Sequence, residues 1–180
     1  MNTAQFISKS VNNSVKTASF TWQTPSNIAL VKYWGKSNPQ IPKNASISFT
    51  LNNCHTITTI DFEQREKSET VDFDLFFEGK QKDAFKPKIA EFFTRIQEYC
   101  PYIFEYKMTI NSENSFPHSS GIASSASGLS AIAMCLMSLE SELNPDLSAE
   151  EINKKASFLA RLGSGSASRS IEGPLVVWGN

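Results

Sequence analysis

Cysteine and histidine are scarce in this chain, which has three cysteines and two histidines among its 180 residues. The cysteines, Cys54, Cys100 and Cys135, are odd in number, widely spaced and not arranged as CxxC pairs. This usage argues against a metal site and against a disulfide scaffold. We therefore expect reduced thiols with a mainly structural role.

Long apolar runs and an excess of one charge are also missing. No stretch approaches the roughly 20 apolar residues that a membrane-spanning helix needs. The N-terminal "MNTAQFISKSVNNSVKTASF" lacks the continuous apolar segment of a secretory signal. Seventeen basic and eighteen acidic residues give a formal net charge of -1, so no overall field attracts nucleic acid or an anionic membrane. We expect a cytoplasmic protein without nucleic-acid or membrane partners, in which any anion binding is local.

The apolar content is sufficient for one ordinary core, because 40% of the residues are hydrophobic and 11% are aromatic. Neither an internal repeat nor a linker-like tract divides the chain. The polar residues 1–17 are expected to be frayed, and residues 18–180 are expected to form one domain.

Alternating apolar residues predict four strands and a fifth near the C-terminus. The strand signals are "ASISFTL", "TITTIDF", "VDFDLFF", "FEYKMTI" and "PLVVW". In the first of them Ile47, Phe49 and Leu51 share one face, which we expect to be buried.

Apolar spacings of three and four predict three helices. The first covers "FKPKIAEFFTRIQEY" and tolerates Pro87 in its first turn. The second follows Gly121 and is apolar enough for the core. The third starts with a capping box between Ser148 and Glu151 and ends near Gly163. Strands that precede helices in this way indicate an α+β fold.

Hydroxyl residues crowd the start of the second helix in "PHSSGIASSASG", residues 117–128. The first N–H groups of a helix lack partners within the helix, and the macrodipole adds about half a positive charge there. Small residues around Gly121 would let a phosphate approach closely. The alternative is that the serines only cap the helix while the alanines pack on a sheet. We interpret the segment as an anion site, with hydroxyl donors from Ser119, Ser120, Ser124, Ser125 and Ser127.

A second cluster, "RLGSGSASRS" at residues 161–170, combines two glycines, four serines and two arginines. Arginine offers a permanently charged fork of donors that matches a phosphate. Flexible linkers have a similar composition, but this segment is short and lies between a capped helix and an apolar strand. We interpret it as a second phosphate loop.

A third stretch, "PSNIALVKYWGK", places Lys32 and Lys36 on either side of two large aromatic residues. The aromatic side chains could shield a small acid from water while the lysines pair with it. The alternative is a strand entering a turn, with solvated lysines and aromatic residues in the core. Together with the two serine-rich loops, this stretch suggests two phosphorylated ligands.

In this order the three segments resemble the mevalonate diphosphate decarboxylase family of the GHMP kinase superfamily. The family's N-terminal signature is similar to "NIALVKYWGK", its phosphate loop to "PHSSGIASSASG" and its substrate loop to "GSGSASRS". The resemblance covers about residues 18–180. It implies the ribosomal protein S5 domain 2-like N-terminal domain of the GHMP kinase fold, a mixed sheet with helices on one face.

The resemblance also implies an activity. Such enzymes use ATP and Mg²⁺ to phosphorylate the 3-hydroxyl of mevalonate 5-diphosphate, after which phosphate and CO₂ leave and isopentenyl diphosphate forms. The implied substrate residues are Tyr33, Trp34, Gly35, Lys36, Ser164, Gly165, Ser166, Ala167, Ser168 and Arg169. The implied ATP-binding residues are Ser119, Ser120, Gly121, Ala123, Ser124 and Ser125. Ser124 is also the candidate metal contact, and Lys32 would add positive charge nearby.

Two departures from the family pattern affect the function. Lys86 or Lys88 stands where the family uses a substrate-binding arginine. Members of the family are usually about twice as long, and the aspartate that activates the 3-hydroxyl lies in their second half. No role of that kind can be assigned to Asp61, Asp72, Asp74, Asp83 or Asp146.

We therefore expect the N-terminal half of such an enzyme, without its C-terminal domain and inactive alone. Homodimers are usual among such relatives, which makes a second copy a candidate partner. Two alternatives remain open. One is a kinase or decarboxylase acting on mevalonate or its monophosphate, and the other is a ligand-binding module without catalytic activity.

Overall fold

The computed structural model describes residues 3–9, 13–37, 41–117 and 120–179. Its strands are β1 (Thr17–Val31), β2 (Lys36–Ser37), β3 (Ile41–Pro42), β4 (Ser46–Gln64), β5 (Asp72–Phe77), β6 (Lys80–Gln81), β7 (Tyr106–Asn114) and β8 (Leu175–Trp178). Its α-helices are α1 (Lys86–Ile96), α2 (Ser124–Leu143) and α3 (Ala149–Gly163). Short 3-10 helices lie at Ala4–Phe6, Asp83–Phe85, Pro101–Glu105 and Gly165–Ser170.

Six strands form one mixed sheet in the order β1-β4-β7-β5-β6, with β8 also paired to β4. The β5–β7 pair is parallel and the other pairs are antiparallel. Phe20, Ile60, Ile110 and Leu75 are cross-strand neighbours in a row across four strands. This row joins the core, whose other side comes from the helices. The predicted α+β fold with a mixed sheet is confirmed.

The three predicted helices are present, and α2 forms the centre of the helical layer. It contacts β1, β4 and α3 and buries residues on nearly all of its sides. The capping box of α3 forms as predicted, since Ser148 accepts from the Glu151 N–H and the Glu151 carboxylate accepts from the Ser148 N–H. Among the described residues, none of the helices combines the length and the apolar character that crossing a membrane requires.

β4 joins two segments that the sequence presents as separate strands. Its register against β1 jumps, so that Pro25 pairs with His55 whereas the next residue, Ser26, pairs with Leu51. Residues 52–54 therefore bulge out of the ladder. The bulge changes the alternation of β1, and both Ser26 and Asn27 are buried although they are consecutive.

The predicted buried face of "ASISFTL" was wrong. Ser46 and Ser48 are fully buried, whereas Phe49 is 44% exposed. The serine side is covered by the polar segment that follows α3, and Ser46 Oγ accepts a hydrogen bond from Arg169 there. Alternation identifies which residues share a face, but it does not say which face is covered.

The apolar side of these strands faces outward. Ile28, Phe49 and Leu175 are cross-strand neighbours on β1, β4 and β8, and they are 47%, 44% and 53% exposed. Val31 and Val177 lie in the adjoining row and are about equally exposed. The second face of the sheet is therefore apolar at this end.

The expectation of a frayed N-terminus fails for residues 3–9. Phe6 is only 7% exposed and stacks on Phe158 with the ring centroids 4.1 Å apart. Both the N–H and the hydroxyl of Ser8 donate to the Tyr99 carbonyl. A single aromatic side chain in a polar segment has no periodicity, which explains why the sequence did not reveal this contact.

The three cysteines carry free thiols, as predicted. Cys100 and Cys135 are fully buried. Burial raises the pKa of each of these two thiols to about 12. They are consequently protonated core side chains at neutral pH.

Candidate anion-binding site

The N-terminus of α2 is open rather than capped by a side chain. Ala123 occupies the N-cap position in the left-handed conformation (φ 48°, ψ 40°) and makes no side-chain capping bond. Gly121, two residues earlier, also has positive φ (79°). The Ala126 N–H bonds to the Ala123 carbonyl. The N–H groups of Ser124 and Ser125 precede this bond and lie at the open N-terminus of the helix. This arrangement is the one that favours an anion.

The serines around this helix end have different environments. Ser120 and Ser125 are exposed and can turn toward a ligand. Ser127 is fully buried, and its Oγ lies 2.6 Å from Thr56 Oγ1. Ser127 therefore fastens the helix to β4, which corrects the expectation that its hydroxyl is an anion donor. Ser119 lies outside the described residues.

A cavity of about 290 Å³ lies beside the same helix end. Its apolar walls come from Leu75, Phe77, Phe85, Ile89, Leu129 and Ile132. Its polar edge includes Lys88, Asn114, Ser124 and Ser125. Thr56 Oγ1 donates to Asn114 Oδ1 at 2.7 Å, while the buried Asn114 Nδ2 has no partner among the described residues. The cavity thus offers an apolar slot, one amide donor and a helix N-terminus.

Arg169 is the charged residue of the second predicted phosphate loop, residues 164–170, which we call the Arg169 loop. The residue is 3% exposed, and its Nη1 donates to Ser46 Oγ at 2.6 Å. Within the described part of the chain, no carboxylate forms an ion pair with it. Burial lowers the pKa of the guanidinium, and the neighbouring Tyr33 opposes that shift. Arginine nevertheless stays charged, so the loop presents an uncompensated positive charge.

The other side chains of the Arg169 loop divide into two groups. The hydroxyls of Ser164 and Ser166 lie 3.5 Å apart and are partly exposed, which leaves them able to turn toward a ligand. Ser168 instead donates to the Gly165 carbonyl at 3.2 Å and stabilises the turn itself.

Ala167 has a different position from the one expected. Its side chain is fully buried in the core, and its carbonyl accepts from Ser130 Oγ of α2 at 2.7 Å. The bond to its carbonyl and the burial of its side chain together hold the loop against α2. This position corrects the expectation of a substrate contact by Ala167.

The "KYWGK" segment reaches the Arg169 loop through Trp178. The Tyr33 and Trp178 rings meet edge-on with centroids 4.9 Å apart, and the Arg169 guanidinium lies 5.5 Å from the Trp178 centroid. Lys36 Nζ lies 5.5 Å from the Tyr33 centroid. Two cations and two aromatic rings therefore form one row. Trp34 is 90% exposed and takes no part in it.

The turn that carries these residues is closed by hydrogen bonds. The Trp34 N–H donates to Asn44 Oδ1 at 2.7 Å, and Asn44 Nδ2 donates to the Lys32 carbonyl at 3.2 Å. The Gly35 carbonyl accepts from the Lys43 N–H at 2.9 Å. The side chain of Lys32 is exposed at the edge of this turn, and its contribution to the site stays a prediction.

Consecutive residues of β1 bring the two loops together. The Ser26 hydroxyl donates to the carbonyl of Ile122, just before α2. Asn27 Nδ2 donates to the Ser166 carbonyl at 3.0 Å and to Ser170 Oγ at 2.8 Å. These contacts could not be predicted from the sequence, because a "TPSN" run within a strand has no distinctive pattern. The cavity described above is lined by the α2 end and not by the Arg169 loop.

Acidic and metal-binding side chains are not clustered at this site. Among the described residues, no group of three or more histidine, cysteine, aspartate or glutamate side chains is placed to hold a metal ion. The predicted metal contact, Ser124, is partly exposed at the helix end.

Comparison with known proteins identifies relatives that are similar in sequence and in structure. The chain is 35% identical to diphosphomevalonate decarboxylase from Debaryomyces hansenii over 92% of its own length and 43% of that protein. It resembles the crystal structure of mevalonate diphosphate decarboxylase from Staphylococcus aureus with a TM-score of 0.73 and 33% identity, covering 91% of this chain and 46% of that one.

A third similar structure is described as MDDEF in complex with MVAPP, AMPPCP and magnesium. It has a TM-score of 0.70 and 37% identity, with 91% of this chain and 47% of that chain covered. The chain thus spans about half the length, or less, of the relatives it matches. A family model described as the diphosphomevalonate decarboxylase-like N-terminal domain matches residues 24–180. With this match over most of its length, the chain belongs to the diphosphomevalonate decarboxylase-like N-terminal domain family.

Proposed function

We propose that this chain provides the nucleotide- and substrate-binding part of an enzyme that converts mevalonate 5-diphosphate to isopentenyl diphosphate, CO₂ and phosphate, with ATP becoming ADP. The observation that carries the proposal is the attachment of the two candidate anion-binding loops to consecutive residues, Ser26 and Asn27. Phosphoryl transfer between two ligands requires them to be held side by side, and most of its catalysis is positioning and charge neutralisation.

The Arg169 loop is the proposed substrate site. Its guanidinium is buried and has no acidic partner among the described residues, which is costly unless an anionic ligand pairs with it. A diphosphate can also accept hydrogen bonds from Ser164 and Ser166. Lys36 lies beyond Tyr33 in the same row and would approach the other end of a short substrate.

The end of α2 is the proposed nucleotide site. The apolar cavity would take the base, Asn114 Nδ2 would donate to one of its ring nitrogens, and the amides of Ser124 and Ser125 would hold phosphates. Magnesium, when bound with ATP, neutralises phosphate charge and orients the transferred group. The hydroxyl of Ser124 is the proposed protein contact for that ion.

A proton must leave the 3-hydroxyl during phosphoryl transfer, and four of the described aspartates already have polar or charged partners. Asp61 accepts from Ser19 on β1, Asp72 pairs with Arg65, and Lys86 lies between Asp74 and Asp83. We therefore propose that this chain alone binds ligands but releases no CO₂.

The test is to incubate the chain with MgATP and carboxyl-labelled mevalonate 5-diphosphate while binding of each ligand is measured by calorimetry. Binding of both ligands without labelled CO₂ is the expected result. Substantial CO₂ release would contradict the assignment of this chain as an incomplete enzyme, and failure to bind either ligand would contradict the proposal as a whole.

The two alternatives are separated by the same calorimetry. Preference for mevalonate or its monophosphate over the diphosphate would favour a related kinase, although a buried guanidinium without an acidic partner among the described residues favours the more highly charged ligand. If replacing Arg169 leaves the ligand affinity unchanged, the ligand-binding module without catalytic activity is favoured. A cytoplasmic location and a homodimeric assembly are further proposals, based on the N-terminal sequence and on the family resemblance.

A further inference from the structure

One buried hydroxyl of α2 joins this helix to the Arg169 loop. Ser130 is fully buried, and its Oγ lies 2.7 Å from the Ala126 carbonyl oxygen in its own helix and 2.7 Å from the Ala167 carbonyl oxygen in the loop. A hydroxyl carries one proton. The start of the helix that forms the proposed nucleotide site and the proposed substrate loop therefore share a single donor.

The beginning of α2 is also fixed to the sheet. Ser127 Oγ lies 2.6 Å from Thr56 Oγ1 of β4, and the Ser127 carbonyl accepts from Thr24 Oγ1 of β1 at 2.6 Å. These contacts hold the first turn of the helix in place. Ser130, three residues later, connects that turn to the Arg169 loop.

The entry into the Arg169 loop is packed closely against the same part of α2. A Cβ atom at Gly163, the last residue of α3, would lie 2.7 Å from the Phe92 side chain and 3.0 Å from the Leu129 side chain. The backbone thus approaches α2 as closely as a glycine allows. The loop begins in contact with α2 and is bonded to the helix again at Ala167.

We infer that Ser130 is a positioning residue that couples the two ligand sites. A ligand that orders the Arg169 loop holds the Ala167 carbonyl at the Ser130 hydroxyl, which restrains the beginning of α2. The second ligand then meets a helix end that is already ordered, so each ligand should strengthen the binding of the other. The inference rests on the proposed function for the identity of the ligands, and it goes further by assigning their coupling to one hydroxyl.

The test compares Ser130→Ala with two control variants in the 180-residue chain. The first control is Ser157→Ala. Ser157 Oγ donates to the Ser168 carbonyl at 3.1 Å, so it holds the same loop from α3 and not from α2. This control separates loosening of the loop from loss of its connection to the nucleotide helix.

The second control is Ser138→Ala. Ser138 Oγ donates to the Met134 carbonyl at 3.1 Å, four residues earlier on α2, and accepts from Trp22 Nε1 of β1. The substitution therefore removes the same kind of bond within the helix while the bond from Ser130 to the Arg169 loop stays in place.

Calorimetry measures the affinity for the magnesium complex of a non-hydrolysable ATP analogue, with and without saturating mevalonate 5-diphosphate. In the unsubstituted chain the diphosphate should strengthen nucleotide binding about fivefold, which is the contribution of about one hydrogen bond. The nucleotide should strengthen diphosphate binding by the same factor. Ser130→Ala should reduce this factor to less than about twofold.

The controls should behave differently. Ser157→Ala should weaken diphosphate binding but leave the coupling factor near fivefold, and Ser138→Ala should change neither. Ser130→Cys keeps a weaker donor of similar shape and should give an intermediate factor. This variant also carries the test if Ser130→Ala does not fold.

Amide hydrogen exchange, followed by NMR without ligand, tests the connection itself. Ser130→Ala should speed exchange both in residues 126–130 and in residues 165–170, whereas Ser157→Ala should speed it only in residues 165–170.

An unchanged coupling factor in Ser130→Ala would overturn the inference. So would the absence of coupling in the unsubstituted chain, or an equal loss of coupling in Ser157→Ala. Failure of the unsubstituted chain to bind either ligand would contradict the proposed function, whereas the exchange measurements would still decide whether Ser130 connects the two segments.

Discussion

The guanidinium of Arg169 lies 5.5 Å from the centroid of the Trp178 ring. Trp178 belongs to the last strand and also meets Tyr33 edge-on, so one indole links the "KYWGK" turn to the second serine-rich loop. The aromatic ring stabilises a cation that has no carboxylate partner among the described residues. This relationship holds a buried positive charge in place at some cost to the fold.

That cost leads to the first prediction. Replacing Arg169 with Met should raise the stability of the ligand-free chain by about 1 kcal/mol or more, because a buried charge is removed. Ser46 Oγ would still donate to the Val31 carbonyl, so its own proton stays bonded. Affinity for mevalonate 5-diphosphate should fall by about 1.5–3 kcal/mol. Urea unfolding and calorimetry measure the two effects.

Arg65→Met is the matched control, since its ion pair with Asp72 is exposed on both sides. It should change stability by less than about 1 kcal/mol and leave ligand binding unchanged. Loss of stability in Arg169→Met, together with unchanged binding, would show that the arginine is structural.

The second prediction concerns the cavity at the end of α2. Asn114→Asp keeps the acceptor used by Thr56 but removes the amide donor that lies beside the cavity. Affinity for MgATP should fall about tenfold or more, because the carboxylate repels the ring nitrogens that an amide would bind. Calorimetry measures the change.

Asn111→Asp makes the same change at an exposed position of β7 and should leave affinity for MgATP unaltered. If Asn114→Asp binds MgATP as tightly as the unsubstituted chain does, the base does not occupy this cavity.

The third prediction concerns the buried ion pair on the far side of α2. Lys155 Nζ donates to Glu140 Oε1 at 2.7 Å and to Ser8 Oγ and the Tyr99 carbonyl at 2.9 Å each. Lys155→Met should lower the free energy of unfolding by about 3–5 kcal/mol, because it leaves the Glu140 carboxylate buried without a cation. Adding Glu140→Leu should recover most of that loss. Urea unfolding tests this, and a double variant as unstable as the single one would contradict it.

The fourth prediction follows from the two buried thiols. The pKa of each is raised to about 12 in the folded chain, against about 8.5 for an unperturbed thiol. Between these values the unfolded chain has released protons that the folded chain retains, so stability should fall as pH rises. From pH 8 to pH 10 the loss should be about 2 kcal/mol per thiol. Urea midpoints at these two pH values check it.

Cys135→Ala removes one titrating group and should make the alkaline loss of stability smaller. An equally steep loss in that variant would mean that other groups cause it.

Much of the fold could be predicted from local patterns. The capping box at Ser148 and the start of α1 depend on neighbouring residues, and both were predicted. The buried face at Ser46 was not, because whether Ser46 or Phe49 is covered depends on a loop more than a hundred residues away. The alternation of apolar and polar residues along a strand carries no information about which distant segment covers it.

The candidate site was predicted as segments but not as an assembly. Composition identified the two serine-rich loops, and it marked Arg169 as the charged donor. It could not identify Ser26, Asn27 or Trp178, since their role arises from a strand bulge and from long-range contacts. Ser127 and Ala167 have the right composition for an anion loop, yet their side chains are buried.

The proposed function requires two loops of one chain to hold two phosphorylated ligands side by side. Amide chemical shifts, measured by NMR during titration with MgATP and with mevalonate 5-diphosphate, locate each ligand on the chain. We expect MgATP to shift residues 120–128 and the diphosphate to shift residues 164–170, and we expect both ligands to bind together. Competition of the two ligands for one loop, or shifts confined to other parts of the chain, would contradict it.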